Sequence, residues 1–323
     1  MLIWIIDDEW NDYIMEEKLL KQEFPNVEIK ISNENYKRDL IDFGHKADGI
    51  LAQVSFKLDK SFIDKLKNCK CISVYGTGYE NIDVESCKMN NIKVAYVPDY
   101  SSEDIADYVL AAIFNYNKRI CEHSRNFNKY IIEGHWGSKA IHKDVHRLSN
   151  QKLFIAGLGR IGEVVAAKAN AVGINVLGYS RSKSSEYMEN LNIKKVEWEE
   201  GFKTADYISV HLKSVPENKD IISSKEFELM KETSYLINTS RGNIIDEQSL
   251  IDALSKNKIA GATLDVFKEE PPSINNKLLN LGNVFLTPHI SYHSVEALWN
   301  LKNIAISNLI ANLMGKYVNN III

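Results

Sequence analysis

Arg241, Asp265, Glu270 and His289 carry the chemically capable side chains of three short segments. Residues 236–242 end in Asn-Thr-Ser-Arg-Gly, which sets Arg241 just past a predicted strand and in front of a glycine. Residues 262–271 place Asp265 on the next strand and Glu270 on the loop behind it. Residues 286–290 place His289 after a proline at the end of another strand. All three positions fall at strand carboxyl ends, the side on which a doubly wound sheet opens its cleft. A guanidinium there can hold a carboxylate through two parallel bonds and polarise a neighbouring carbonyl. An imidazole can supply the proton that a developing alkoxide needs. A carboxylate on its other ring nitrogen orients the ring and favours the protonated form. Together these groups suit hydride transfer to a 2-keto acid, with the hydride coming from a dinucleotide.

A second pattern supplies the dinucleotide. Residues 154–162 run from an apolar strand into Gly157, Gly159 and Gly162, spaced G-x-G-x-x-G, and a helix follows. Gly157 makes the tight turn, and Gly159 admits a pyrophosphate close to the backbone. Gly162 lets the helix lie close on the sheet, while Arg160 and Ile161 open a helix whose free N–H groups face phosphate. About 20 residues beyond the turn an NAD site usually has a carboxylate for the ribose. Here the segment reads Tyr179-Ser180-Arg181-Ser182-Lys183, so repulsion of a 2′-phosphate is absent and Ser180, Arg181 and Ser182 can bind one. The expected cofactor is NADP(H) in preference to NAD(H).

These groups need a scaffold, and the chain alternates short strands with helices throughout. Strands are expected near 2–6, 27–31, 49–54, 71–75 and 94–96, with helices at 15–23, 37–43 and 60–67. A helix over 99–120, capped by Ser101 or Ser102, follows a break in composition at 97–100. After the glycine turn come strands near 175–179, 208–212, 235–238, 261–265 and 284–287. Helices are expected near 224–230, 247–256 and 276–281, and a last one over 294–314. The expected class is α/β: two Rossmann-like doubly wound parallel-sheet domains. A dinucleotide domain (101–292) is inserted in a flavodoxin-like substrate domain (1–100 and 293–323). In the latter, Gly76, Thr77 and Gly78 end a strand and can offer N–H groups to an anion; Gln53, Tyr75 and Tyr292 are candidates to shape a substrate pocket. Residues 126–150 read as a polar, irregular arm. His142 and His146 there have metal-like spacing but no third ligand, so a solvated or subunit-facing arm is expected and no metal.

The 323 residues, 45% hydrophobic, leave room for two cores. A net charge of −4 gives no reason to expect nucleic acid or a membrane surface. No run approaches the ~20 apolar residues of a membrane span. The apolar start is six residues long and meets Asp7, Asp8 and Glu9, which reads as a buried strand. Four cysteines without zinc spacing fit free thiols in a cytoplasmic protein.

Five ordered motifs carry a resemblance over nearly the whole chain: 76–83 (Gly-Thr-Gly-Tyr-Glu-Asn-Ile-Asp), 157–162, 238–242, 265–271 and 287–289 (Thr-Pro-His). The sequence resembles the D-isomer-specific 2-hydroxyacid dehydrogenases. Residues 97–107 and 289–294 look closest to the branch containing the C-terminal binding proteins. The resemblance implies that Arg241 binds substrate, Glu270 partners His289, and His289 is the acid/base. It further implies that Asp265 holds the nicotinamide carboxamide, Thr239 contacts cofactor, and the Gly76–Gly78 loop meets the substrate carboxylate. In that branch an aromatic at the position of Tyr292 lines the pocket. Lys213 stands where the family usually has proline near the adenine and adds charge for a phosphate. Family members are usually homodimers joined through helices that here span 101–136. The alternative reading is a dinucleotide-sensing interaction protein with weak turnover.

Overall fold

The computed structural model describes residues 1–141 and 144–323. His142 lies outside the described residues, and with it the His142/His146 pair. The chain divides into two units, residues 1–100 with 294–323, and residues 101–293.

The first unit holds strands β1 (Leu2–Ile6), β2 (Glu28–Ser32), β3 (Gly49–Gln53), β4 (Cys71–Tyr75) and β5 (Lys93–Ala95). They pair in parallel in the order β2-β1-β3-β4-β5, the flavodoxin-type arrangement. Every residue of β3 and β4 is buried, because helices cover both faces of a parallel sheet. Trp4, Ile6, Ile50 and Ile72 fill one face, and Ile3, Ile5, Leu51 and Cys71 the other. The second face is closed by the helix Val295–Leu313, which buries Leu301, Ala305, Ile306 and Leu309. Ser294 caps this helix by accepting from the Ala297 N–H.

The second unit holds β6 (Lys152–Ala156), β7 (Asn175–Tyr179), β8 (Lys194–Lys195), β9 (Tyr207–Val210), β10 (Tyr235–Asn238), β11 (Gly261–Leu264) and β12 (Val284–Leu286). Their parallel order is β12-β11-β10-β9-β6-β7-β8, the doubly wound dinucleotide arrangement. The chain winds outward from β6 through β7 and β8, then restarts at β9 on the other side of β6. Ligands enter such sheets at that reversal, beyond the strand carboxyl ends. The helix Ser102–Lys118 buries Ile105, Ala106, Val109, Ala112 and Ile113 and packs on the helix Arg160–Ala171. Lys168 of the second helix pairs with Glu103 and Asp107 of the first, at 2.8 and 2.6 Å.

Three expectations differ from what forms, the first being the helix expected at 60–67, which runs only over Lys60–Ile63. The helix expected at 276–281 is a single 3-10 turn, Lys277–Asn280, because Leu278 alone is buried there and one anchor cannot hold a longer helix. The arm expected to be irregular over 126–150 contains the short helix Phe127–Ile132. Tyr130 is its one buried residue, so no helical period shows in the sequence. Among the described residues, no helix is long and apolar enough to cross a membrane.

Candidate active site

At the carboxyl end of β6 each glycine has a separate physical reason. Gly157 has φ 103°, and a Cβ there would come within 2.9 Å of the His211 carbonyl oxygen. Above Gly159 a Cβ would meet nothing within 4 Å, so the backbone is open to a ligand at the head of the helix. A Cβ on Gly162 would sit 2.7 Å from the Gly157 oxygen, which is the close helix-to-turn packing the motif requires. Arg160 is exposed and Ile161 half-buried beside them.

Beyond β10, β11 and β12 three loops converge. Asn238, 1% exposed, builds the first: its Oδ1 accepts from Ser240 N and Oγ at 3.0 and 2.8 Å, and its Nδ2 donates to the Arg241 carbonyl at 3.0 Å. Gly242 follows because a Cβ there would fall 2.0 Å from the Phe267 carbonyl carbon. Only glycine lets the Arg241 loop lie against the Glu270 loop. Glu270 Oε2 meets His289 Nδ1 at 2.7 Å, and its Oε1 accepts from the Phe267 N–H at 2.9 Å. Burial opposes the charge on Glu270. The hydrogen bond and charge of His289, the Phe267 N–H and the Arg241 guanidinium outweigh it, so the carboxyl sits below its ordinary pKa. With Nδ1 held by a carboxylate, Nε2 is the ring nitrogen left for proton transfer.

His289 itself has φ 54°, a left-handed backbone. Asp265, 0% exposed, holds it there: Oδ1 accepts from the Ile290 N–H at 2.9 Å and Oδ2 from the Ser291 N–H at 2.8 Å. Asp265 Oδ1 also accepts from Thr287 Oγ1 at 2.6 Å, and Thr287 meets the Tyr108 hydroxyl at 2.5 Å. Since the Thr287 proton goes to Asp265, Tyr108 is the donor in the last bond; burial pushes its pKa up to about 12. Tyr108 sits 179 residues from Thr287, and no local signal connects the two. Tyr292 stands edge-on to His289, ring centroids 6.1 Å apart.

Beyond β7 the turn at 180–183 is closed by Ser180 Oγ, which accepts from Ser182 N and Lys183 N at 3.4 and 3.2 Å. Arg181 is exposed, as are Ser182 and Lys213. In the first unit the loop after β4 is tied to Val97: Thr77 Oγ1 donates to its carbonyl, and its N–H donates to the Gly76 carbonyl, both at 2.8 Å. Gly78 is buried beside them. Gln53, 3% exposed, gives its Nε2 to Glu9 Oε2 at 3.0 Å. Tyr75 requires a correction. Its ring is 1% exposed and its hydroxyl bonds Glu16 Oε1 at 3.0 Å, so it belongs to the core and cannot line a pocket.

The family model for the D-isomer specific 2-hydroxyacid dehydrogenase NAD binding domain matches residues 110–291. The glyoxylate reductase of Thermococcus litoralis is 34% identical over 288 residues, 88% of this chain and 86% of that protein. The chain belongs to the D-isomer-specific 2-hydroxyacid dehydrogenase family. It is similar in structure to an acyclic imino acid reductase solved with NADPH and D-Arg (TM-score 0.86, 28% identity, 100% of each chain). It is also similar to the D-lactate dehydrogenase of Aquifex aeolicus solved with NAD and lactic acid (TM-score 0.83, 26% identity, 97% and 96% of the chains). The protein is thus an NAD(P)-dependent D-2-hydroxyacid dehydrogenase.

The cofactor domain of this dehydrogenase fits a nicotinamide dinucleotide on its own evidence. Thr239, 6% exposed, has a buried hydroxyl with no hydrogen-bond partner among the described residues. A buried polar atom left unmet in the protein is one a ligand can satisfy. The open backbone at Gly159 gives a phosphate its approach.

Proposed function

We propose that the enzyme reduces a small 2-keto acid to the D-2-hydroxy acid and prefers NADPH to NADH. The bond between His289 Nδ1 and Glu270 Oε2, in the field of Arg241, is the observation that carries the reading. Arg241 binds the substrate carboxylate and polarises the carbonyl; His289 delivers the proton to the forming alkoxide, and Glu270 holds the imidazolium in place. The N–H groups of Gly76, Thr77 and Gly78 are assigned to the substrate carboxylate, Gln53 to the substrate side, and Tyr292 to the pocket wall beside His289. The bound dinucleotide supplies the hydride. Thr239, Gly157, Gly159, Arg160, Ile161 and Gly162 hold it, and Asp265, whose Oδ2 accepts one bond from the protein, takes the carboxamide.

The NADPH preference is supported by the missing carboxylate after β7 and by Ser180, Arg181 and Ser182 in its place, with Lys213 adding charge. Exposed Ile120, Phe127, Ile131, Ile132, Trp136 and Ile141 form an apolar stretch suited to a homodimer contact. Light scattering should then return twice the 36.8 kDa of one chain. A panel of 2-keto acids with NADPH and NADH, followed by loss of absorbance at the nicotinamide band, tests the rest. Equal or better kcat/KM with NADH defeats the cofactor preference, and no turnover of any 2-keto acid defeats the substrate class.

A further inference from the structure

The turn after β7 carries two cations, and the protein treats them differently. Lys183 Nζ lies 3.1 Å from Glu163 Oε1 and 4.1 Å from the centre of the Tyr187 ring, so its charge is matched within the protein. Arg181 meets an uncharged group: its Nη2 donates to Asn218 Oδ1 at 3.2 Å. Asn218 is 6% exposed and ends the 3-10 turn Pro216–Asn218 in the loop beyond β9. Its Nδ2 donates to the Lys213 carbonyl at 2.9 Å, and its backbone N–H to Val215 at 2.9 Å. One buried amide therefore fixes a guanidinium and the backbone of the Lys213 loop together.

We propose that Asn218 sets the preference for NADP(H) as a positioning residue, holding Arg181 and the Lys213 loop for a 2′-phosphate without cancelling their charge. The proposal rests on the cofactor reading above. An exposed arginine samples many rotamers, and an anion must pay for its ordering unless the protein has already done so. The Asn218 bond occupies one of five guanidinium N–H groups and leaves the rest for phosphate oxygens. A carboxylate in the same place would hold Arg181 equally well. It would also neutralise the guanidinium and repel the phosphate, as well as the Lys213 carbonyl. The amide is the group that positions without neutralising.

The test compares Asn218→Asp and Asn218→Ala with Arg181→Ala and the unaltered enzyme. Binding of 2′,5′-ADP and of 5′-AMP is measured by calorimetry, and kcat/KM with NADPH and NADH by steady-state assay. Asn218→Asp should weaken 2′,5′-ADP roughly thirtyfold and Asn218→Ala roughly fivefold, each leaving 5′-AMP within about twofold. The kcat/KM ratio of NADPH to NADH should fall in the same order. Glu163→Gln, which releases Lys183, should move that ratio toward NADPH. Equal loss of both nucleotides in the Asn218 variants would assign a structural role only and overturn the proposal. So would unchanged discrimination while Arg181→Ala abolishes it. An unaltered enzyme that binds the two nucleotides equally instead overturns the cofactor reading itself.

Discussion

The carboxyl rims of the two parallel sheets face the same physical problem and solve it in opposite ways. In the first unit the part of the rim around Asp7 and Glu16 closes on itself. Asp7 accepts from the Tyr13 hydroxyl at 2.5 Å and the Trp10 N–H at 3.0 Å, and Tyr75 and Lys302 meet Glu16 at 3.0 and 3.3 Å. In the second unit the rim is held rigid from behind and left unmet in front. Asn238, Asp265 and Gly242 fix the loops, while Thr239 keeps a hydroxyl without a partner among the described residues and Gly159 an uncovered backbone. Each rim keeps a buried oxygen left over, but Glu16 Oε2 belongs to a carboxylate already paired with Lys302 through Oε1, whereas the Thr239 hydroxyl meets no partner among the described residues and so suits completion by a ligand.

Four variants break or sharpen that contrast, beginning with the largest effect. His289→Asn keeps a side chain tolerant of left-handed backbone but cannot transfer a proton. Turnover of a 2-keto acid should fall by about 10²–10⁴ with the melting temperature nearly unchanged; turnover within threefold would remove the acid/base role. In the first unit Lys302→Met should act on stability instead. Glu16 is 0% exposed and its Oε2 has no hydrogen-bond partner among the described residues, so loss of the ammonium strands a buried charge. Breaking such a pair costs about 3–5 kcal/mol, to be read as an earlier urea midpoint for the first unit. An unshifted midpoint would show that this rim is not held by its ion pair.

Glu270→Gln addresses the link between carboxylate and imidazole. The carboxylate takes the Nδ1 side of the ring and leaves Nε2 for proton transfer, so an amide in its place loosens the heading of the imidazole. Turnover should fall by about 10- to 100-fold with KM for cofactor little changed. The lowered pKa of Glu270 means that the unaltered enzyme keeps this charge to a lower pH than an ordinary glutamate does. Turnover within threefold of the unaltered enzyme contradicts the pairing. The smallest effect belongs to Tyr108→Phe, which removes the outermost donor of the Tyr108–Thr287–Asp265 chain. Loss of about 1 kcal/mol of loop positioning corresponds to a roughly fivefold lower kcat with KM for cofactor unchanged. A change in KM with kcat intact would place Tyr108 on the cofactor instead.

Much of this is legible in the sequence. The glycines at 157, 159 and 162 each specify a backbone event, so their spacing survives translation into structure. Arg241 before Gly242 was legible as a motif, and its cause is the Phe267 backbone that leaves no room for a Cβ. The alternation of strands and helices gave both sheets. Tyr75 was misplaced because a strand buried on both faces loses the period-two signal that tells inward from outward. Tyr108 and Asn218 were missed for another reason. Each acts through a partner distant in sequence, and a helix pattern or a loop composition carries no trace of that partner.

The left-handed residue at 289 restricts what natural variation can do at this point of the chain. Side chains branched at Cβ are excluded there by the backbone alone, before any demand for reactivity is considered. A proline at 290 or 291 would delete one of the two amide protons that Asp265 grips, and the imidazole would lose its heading while every reactive atom stayed in the sequence.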